Sequence, residues 1–251
     1  MIELDTIYNE DCLTGMQRIP DGSVDCIICD LPYGTTACKW DSVIPFEPLW
    51  EQYKRVTKPN AAIVLFGSEP FSSMLRMSNI KDYRYDWIWK KGERTANFFD
   101  AKRRPLLNHE NISVFYRELP TYNPQMTKGK PNHGTGSGAV HEKRTLDVKV
   151  EYIANTSDMK YPKSIINFER EYDKANKGLH PTQKPVDLIA YLIRTYSNPG
   201  DTILDNTIGS GTTAVAALRE KRHFIGFELN RDYYDIALRR IKLEQQQQTL
   251  F

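Results

Sequence analysis

Between Asp201 and Glu228 the chain reads as strand, glycine turn, helix and strand, and this stretch constrains the fold more than any other. Asp201-Thr-Ile-Leu-Asp205 is a short apolar run of strand type. Asp205-Asn-Thr-Ile-Gly-Ser-Gly-Thr-Thr213 turns the chain. Thr212 to Lys221 has helical spacing, and His223-Phe-Ile-Gly-Phe-Glu228 is a second strand. Strands that alternate with helices imply an α/β, doubly wound, mostly parallel sheet. Glycines let such a turn approach a ligand closely, with the following helix aimed at it. Glu228, at the end of the next strand, sits where ribose hydroxyls bind in doubly wound folds. The turn is not G-x-G-x-x-G and no Lys follows it, so neither a dinucleotide nor a nucleoside triphosphate is favoured.

The remaining elements fit the same plan. Val24-Asp-Cys-Ile-Ile-Cys29 and Ala61-Ala-Ile-Val-Leu-Phe66 are buried strands. Pro45 to Lys58 carries apolar residues at helical spacing and stops at Pro59. Phe71, Met74 and Leu75 mark a short helix, and Tyr83–Trp89 and Ile112–Tyr116 alternate as strands. Val186 to Tyr196 is an amphipathic helix, and Arg231 to Gln248 a long C-terminal one. From Arg117 to Leu179 periodicity fades, with weak strand signals at Val148–Ile153 and Ser164–Phe168 and a glycine-rich tip at Gly134–Gly138. The expected organisation is therefore a domain of residues 1–116 and 180–251 with an insertion at 117–179.

No run approaches the roughly 18–20 apolar residues of a membrane span, and Met1–Thr6 is acidic rather than a secretory leader. Cys12, Cys26, Cys29 and Cys38 all fall early; Cys26 and Cys29 lie within a strand and lack a second ligand pair, so they read as apolar fillers of a reduced cytoplasmic protein, and no metal is expected. Net charge is only +2, but residues 87–144 hold eleven Lys and Arg against five Asp and Glu. That stretch is +6, so the rest is −4. Such asymmetry suits a polyanion-binding face as well as it suits a solvated loop.

Two further motifs can carry chemistry. Asp30-Leu-Pro-Tyr33 follows a buried strand, where ligands of doubly wound folds bind. A carboxylate acceptor, a stiff turn and an aromatic ring suit a flat, amine-bearing ring; taken alone the tetrapeptide is more often just a turn with Tyr33 packed on the core. His180-Pro-Thr-Gln-Lys-Pro185 leads into the helix at Val186, as a simple helix entry or as a ligand-facing segment through Thr182 and Lys184.

Asp-Leu-Pro-Tyr, His-Pro-Thr-Gln-Lys-Pro and Gly-Ser-Gly-Thr-Thr, in this order, resemble the DNA amino-methyltransferases of the β subgroup, in which the catalytic D-P-P-Y motif precedes the S-adenosylmethionine (AdoMet) motif. Tyr8–Leu13, Asp21–Asp25 and Asn108–Phe115 resemble other parts of that family, and the likeness covers roughly 5–116 and 178–240. Two departures stand out: Leu31 where the family usually has Pro, and Asn206-Thr207 where it usually has Pro-Phe.

The resemblance implies a Rossmann-like methyltransferase sheet with an inserted target-recognition region. It implies transfer of a methyl group from AdoMet to the exocyclic N6 of adenine in double-stranded DNA. Asp30, Leu31, Pro32 and Tyr33 would act on the amine, Asp30 and a turn carbonyl accepting its hydrogens. Asp11, Cys12, Asp30, Thr182, Gln183, Lys184, Asp205, Gly209, Gly211, Thr212, Glu228 and Leu229 would hold AdoMet, with Glu228 on the ribose and Thr182 and Lys184 by the methionine carboxylate. Lys39, Trp40, Lys102, Arg103, Arg104, Lys128, Lys130, Lys143 and Arg144 would meet DNA. The alternatives are an N4-cytosine enzyme, since Asp30 leans toward adenine without excluding cytosine, and a DNA-binding relative with weak turnover. A dehydrogenase fits poorly, because the first βα unit carries Asp-Leu-Pro-Tyr. A bacterial or phage origin, an accompanying restriction enzyme and a homodimer all fit this reading.

Overall fold

The computed structural model describes residues 2–34, 42–93, 95–130, 158–169 and 183–248, which form two compact units. The larger runs to residue 123 and resumes at 164; the smaller is 124–163. In chain order the elements are β1 (Thr6–Tyr8), α1 (Cys12–Met16), β2 (Val24–Cys29), α2 (Phe46–Val56), β3 (Thr57–Gly67), α3 (Phe71–Ser78), β4 (Tyr83–Lys90) and β5 (His109–Phe115). They continue with β6 (Thr127–Lys128), β7 (Met159–Lys160), β8 (Ile165–Asn167), α4 (Val186–Tyr196), β9 (Thr202–Asp205), α5 (Thr212–Arg219), β10 (His223–Phe227) and α6 (Arg231–Gln248). The smaller unit pairs β6 with β7 antiparallel.

The larger unit is built on an eight-stranded sheet in the order β1-β10-β9-β2-β3-β5-β4-β8. Every pairing in it is parallel except the two made by β5, so the doubly wound expectation holds. Helices cover both faces. On one, α4, α5 and α6 bury Leu188, Leu192, Val215 and Ala237 against the sheet. On the other, α1, α2 and α3 bury Met16, Leu49, Tyr53, Phe71 and Leu75. Cys26 belongs to the first core and Cys29 to the second, so the C-x-x-C sulfurs lie on opposite faces of β2 and serve as packing atoms. Burial raises the Cys26 and Cys29 thiols far above their usual pKa, so neither is a ready thiolate.

The expected helix at Pro45–Lys58 ends two residues sooner, and β3 begins at Thr57 rather than Ala61. Thr57 already has extended backbone (ψ 144°), and Pro59 disfavours a helical Lys58, so helix passes straight into strand. The three-residue β1 and five-residue α1 gave no periodic signal, being shorter than one period can reveal. The weak strand signal at Ser164–Phe168 is real and short, and β8 adds to the edge of the main sheet beside β4. The signals at Val148–Ile153 and Gly134–Gly138 lie outside the described residues.

Strand order places the site. β2 and β9 are neighbours, but β2 continues through α2 to β3 on one side and β9 through α5 to β10 on the other. Between such strands the two connections diverge and leave a crevice beyond the carboxyl ends. Asp30 ends β2 and Asp205 ends β9, so the two candidate motifs meet at that crevice.

Candidate active site

A cavity of about 270 Å³ opens there, close to the lower end of the roughly 300–1,000 Å³ common for small-molecule sites. The Asp30–Tyr33 corner and the glycine turn line it together, with Asp11, Cys12, Gln183, Lys184, Asp205, Gly209, Thr212, Glu228 and Leu229. Gly211 does not line it. That residue is the N-cap of α5 at φ +82°, and a Cβ there would come within 2.9 Å of Ala237 Cβ, so its glycine serves the turn and the seating of α6. Thr182, Lys39, Trp40, Lys143 and Arg144 lie outside the described residues.

Each end of the cavity is fixed by short-range chemistry. Glu228 accepts the Gly209 N–H (2.9 Å) on one carboxylate oxygen and the Asn230 N–H (2.7 Å) on the other, which points the carboxylate across the mouth of the turn. Burial raises its pKa. Asn9, not foreseen from the sequence, donates to the carbonyls of Glu228 (2.7 Å) and Leu229 (3.1 Å) and ties the end of β1 to the end of β10. Asp11 caps α1 by accepting from Thr14 N–H at 3.0 Å. Arg240 on α6 donates to the Ser210 carbonyl at 2.7 Å, bracing the turn from behind.

At the other end, Asp30 has both carboxylate oxygens engaged. Tyr33 OH donates to one at 2.6 Å, and Lys184 forms an ion pair with the other. Lys184 also lies 3.3 Å from Glu110, and Glu110 pairs in turn with Lys91. Four charges of alternating sign thus run inward from the corner, and Lys184, Glu110 and Lys91 are all buried. Burial pushes the Asp30 carboxyl above the usual range, with the Lys184 ammonium opposing. Burial acts the same way on Glu110, but Lys184 and Lys91 together outweigh it and hold its carboxyl below the usual range. The ammonium of Lys184, expected beside a ligand carboxylate, is here held between two carboxylates of the chain. Glu110 and Lys91 were missed as site residues; no local pattern marks them, because the contact joins residues far apart in sequence.

The two departures from the D-P-P-Y family pattern have structural roles. Leu31 is buried in the core on the α1–α3 face, so its side chain packs. Thr207 Oγ1 donates to the Asp30 carbonyl at 3.0 Å, and the Cys29 thiol lies 3.0 Å from the same hydroxyl. Since that hydroxyl's one hydrogen is used on Asp30, Cys29 is the donor to it. Asn206 accepts from the buried Tyr53 OH at 2.5 Å. The loop after β9 is therefore stitched by polar bonds to the Asp30 corner and to α2. Tyr33 stacks on Phe71, with ring centroids 5.0 Å apart, and so presents a braced ring.

The lining holds Glu10, Asp11, Asp30, Glu110, Asp205 and Glu228 but, among the described residues, only Lys184 as a cation. Asp205 is fully enclosed, and burial pushes its carboxyl up to about 7 against the lowering effect of Thr213 and of the Thr207 N–H. An acidic, partly apolar slot of this kind suits a cationic ligand with hydroxyl groups. Lys102, Arg103 and Arg104, by contrast, are exposed on the connection between β4 and β5, and Lys128 and Lys130 are exposed in the smaller unit. Among the described residues no helix is long and apolar enough to cross a membrane.

Comparison with known proteins agrees with this geometry. Residues 24–239 match the family model N6_N4_Mtase, described as DNA methylase. The chain is 26% identical over 261 residues to the type II methyltransferase M1.MboII of Moraxella bovis, spanning 94% of this chain and 96% of that protein. It is 29% identical over 254 residues to the DNA adenine methyltransferase YhdJ of Escherichia coli (strain K12), spanning 95% and 83%. Among solved structures, a complex of M1.HpyAVI with SAM is similar at a TM-score of 0.62 and 22% identity, covering 94% of this chain and 98% of that one. The PvuII DNA methyltransferase, cytosine-N4-specific, is similar at a TM-score of 0.68 and 15% identity, with 94% and 85% covered. These structures share the fold.

Proposed function

The chain belongs to the N6/N4 DNA methylase family, and on that premise we propose that it transfers a methyl group from AdoMet to the exocyclic N6 of adenine, in a base extruded from double-stranded DNA at a specific sequence. The observation that carries this reading is the single cavity lined by both the Asp30–Tyr33 corner and the Gly209–Glu228 turn. A nucleobase amine and a methyl donor need one shared space. The residues fit AdoMet. Its sulfonium cation would meet a lining that, among the described residues, holds six carboxyl groups and one ammonium. The ribose hydroxyls would meet Glu228, whose carboxylate the Gly209 and Asn230 N–H groups hold in place. Asp11 and Cys12 would flank the adenine, and Gln183, Asp205, Thr212 and Leu229 would complete the walls.

When bound, AdoMet supplies an electrophilic methyl group. The chain supplies positioning and electrostatics. The amine of adenine is a poor nucleophile because its lone pair is delocalised into the ring. Asp30 accepts one amine hydrogen, and a carbonyl of the Leu31-Pro32 turn accepts the other, which localises the lone pair toward the methyl. Positive charge grows on the nitrogen during transfer, and the Asp30 carboxylate faces it. Lys184 favours the ionised form of Asp30 that this role needs. Tyr33, braced by Phe71, offers a stacking face that offsets part of the few kcal/mol that extrusion costs.

Adenine is favoured by the Asp at the head of the motif and by the likeness to an enzyme named for adenine methylation. The test is methylation of DNA with labelled AdoMet, followed by digestion and identification of the nucleoside. N6-methyladenine is expected; N4-methylcytosine would move the assignment to the other amine, and no label in DNA would refute the reading. Asp30→Ala should remove transfer while the chain still binds AdoMet. Glu228→Ala should weaken AdoMet binding severalfold in calorimetry.

A further inference from the structure

The connection between β4 and β5 ends in a feature that the chemistry above does not use. Phe98 is 68% exposed and Phe99 is fully exposed, side by side. Water-facing phenylalanine pairs cost free energy unless something covers them. This pair is also not on a loose loop. Ala96 and Leu107 form a bridge, with hydrogen bonds of 2.7 and 3.3 Å, so that the two limbs run as a short ribbon beyond the strands. At the tip Asn97 is left-handed (φ +66°), Phe98–Asp100 form one 3-10 turn, and the Asp100 carbonyl accepts from Arg103 N–H (2.8 Å) and Arg104 N–H (3.0 Å). The Arg104 guanidinium pairs with the Asp100 carboxylate. The tip is thus closed on itself, and it holds both rings outward.

Its place is fixed by strand direction. β4 runs parallel to β2 and β3, and β5 antiparallel, so Lys90 and His109 both lie at the end of the sheet where Asp30 sits. The buried Lys91–Glu110 pair at the root of the ribbon is the same pair that reaches Asp30 through Lys184. Lys102, Arg103 and Arg104, all exposed, follow the two rings within five residues. Cations next to a rigid apolar projection, at the end of the sheet that carries a pocket meant to receive an extruded base, match the way apolar wedges enter base steps while basic side chains hold the phosphates.

We propose that Phe98 and Phe99 form a wedge that enters the DNA duplex beside the target base and stabilises the gap its extrusion leaves. This rests on the DNA methyltransferase reading and names the part of that site that opens the duplex.

The experiment uses the full chain and a duplex carrying the site that modification sequencing of DNA from expressing cells identifies. The double variant F98A/F99A is compared with wild type on that duplex and on one with an abasic position opposite the target base, where extrusion is already easy. The wedge predicts a loss of kcat/KM of about ten- to a hundredfold on the paired duplex, the scale of a lost base–aromatic stack. It also predicts recovery to within about threefold of wild type on the abasic duplex, and a brighter 2-aminopurine signal at the target for wild type than for the variant. Equal losses on both duplexes, or none on the paired one, would overturn the wedge. So would equal losses with a change from dimer to monomer in sedimentation, which would make the tip a subunit contact. A wild-type chain that methylates neither duplex would instead remove the enzyme reading beneath it.

Discussion

Replacing Lys184 with Met tests whether the buried charge relay sets the state of the Asp30 carboxylate, the group proposed to accept the amine hydrogen. The substitution keeps the length and apolar stem of the side chain and removes one charge that faces two carboxylates, Asp30 and Glu110. A unit pair at the 3.3 Å of Lys184–Glu110 attracts by about 5 kcal/mol at an effective dielectric near 20. Desolvation of the ammonium offsets part of this, and removing one partner of a buried pair costs about 3–5 kcal/mol in practice. For a chain of this length that is on the order of 10 °C in melting temperature. The pH dependence carries the diagnosis. Glu110 is held below its usual range partly by Lys184, and burial already lifts Asp30. Without the ammonium both folded-state pKa values move up, and Asp30, already above its unfolded value, moves further above it. A raised carboxyl is lost as a stabilising group while pH climbs through the window between its unfolded and folded values. The deficit of K184M relative to wild type should therefore be small near pH 4 and grow toward pH 8. In initial-rate assays the acid limb of the kcat profile should move upward, because more acid-bound Asp30 persists. Lys184→Arg should keep most of both properties. A deficit of constant size from pH 4.5 to 8, or an acid limb that does not move, would show that Lys184 does not govern Asp30.

Three further outcomes follow from other contacts. Thr207→Val removes the hydroxyl that reaches the Asp30 carbonyl; it should cost about 1–3 kcal/mol by leaving that acceptor unmet, and lower kcat more than it weakens AdoMet binding in calorimetry. Asp205→Asn deletes a carboxyl that burial lifts to about 7; since a raised carboxyl loses stability by up to about 4 kcal/mol as pH rises from 4 to 7, the variant should gain in melting temperature on wild type at pH 8 and gain less at pH 5. Gly211→Ala meets both a positive φ of +82° and Ala237, for a cost of about 2–5 kcal/mol, whereas Gly22→Ala, at φ +60° with open space, should cost only about 1–2 kcal/mol; equal effects in denaturant melts would contradict the packing argument.

The central sheet was legible because its strands are buried on both faces and so are written as continuous apolar runs. Val24–Cys29, Ala61–Phe66 and Thr202–Asp205 could hardly be anything else. The α4 helix was read to the residue because a strong apolar stripe begins at Pro185 and stops at Ser197. β1 was not legible, since three residues carry no period; it exists because the edge of β10 offers it parallel partners. The site divides in the same way. Asp30, Gly209 and Glu228 were found because each ends a strand or fills a turn, a local event with a local signature. Glu110 and Lys91 were not, for their role comes from a tertiary approach that brings residue 110 beside residue 184, far away in sequence. The Thr207 departure has no local signature of its use; in the folded chain it is a hydrogen bond across 177 positions of sequence.

The charge distribution joins these pieces. A net charge of +2 describes neither half of the molecule. Among the described residues the pocket gathers six acids around one lysine, and the exposed cations Lys102, Arg103 and Arg104 stand on the ribbon at the same end of the sheet. A pocket of that sign attracts a sulfonium and repels phosphate, so the duplex backbone cannot follow its base inside. On the proposed reading, what enters is the neutral ring with its amine, while the phosphates would stay with the cations of the ribbon. Salt should therefore act on the two ligands differently. Raising it should weaken DNA binding steeply, in proportion to the phosphates the ribbon neutralises. AdoMet binding, set in an enclosed pocket where screening is slight, should change little. If titrations with DNA and with AdoMet lost affinity with equal slopes between 50 and 200 mM salt, this division of charge between ribbon and pocket would not be the basis of recognition.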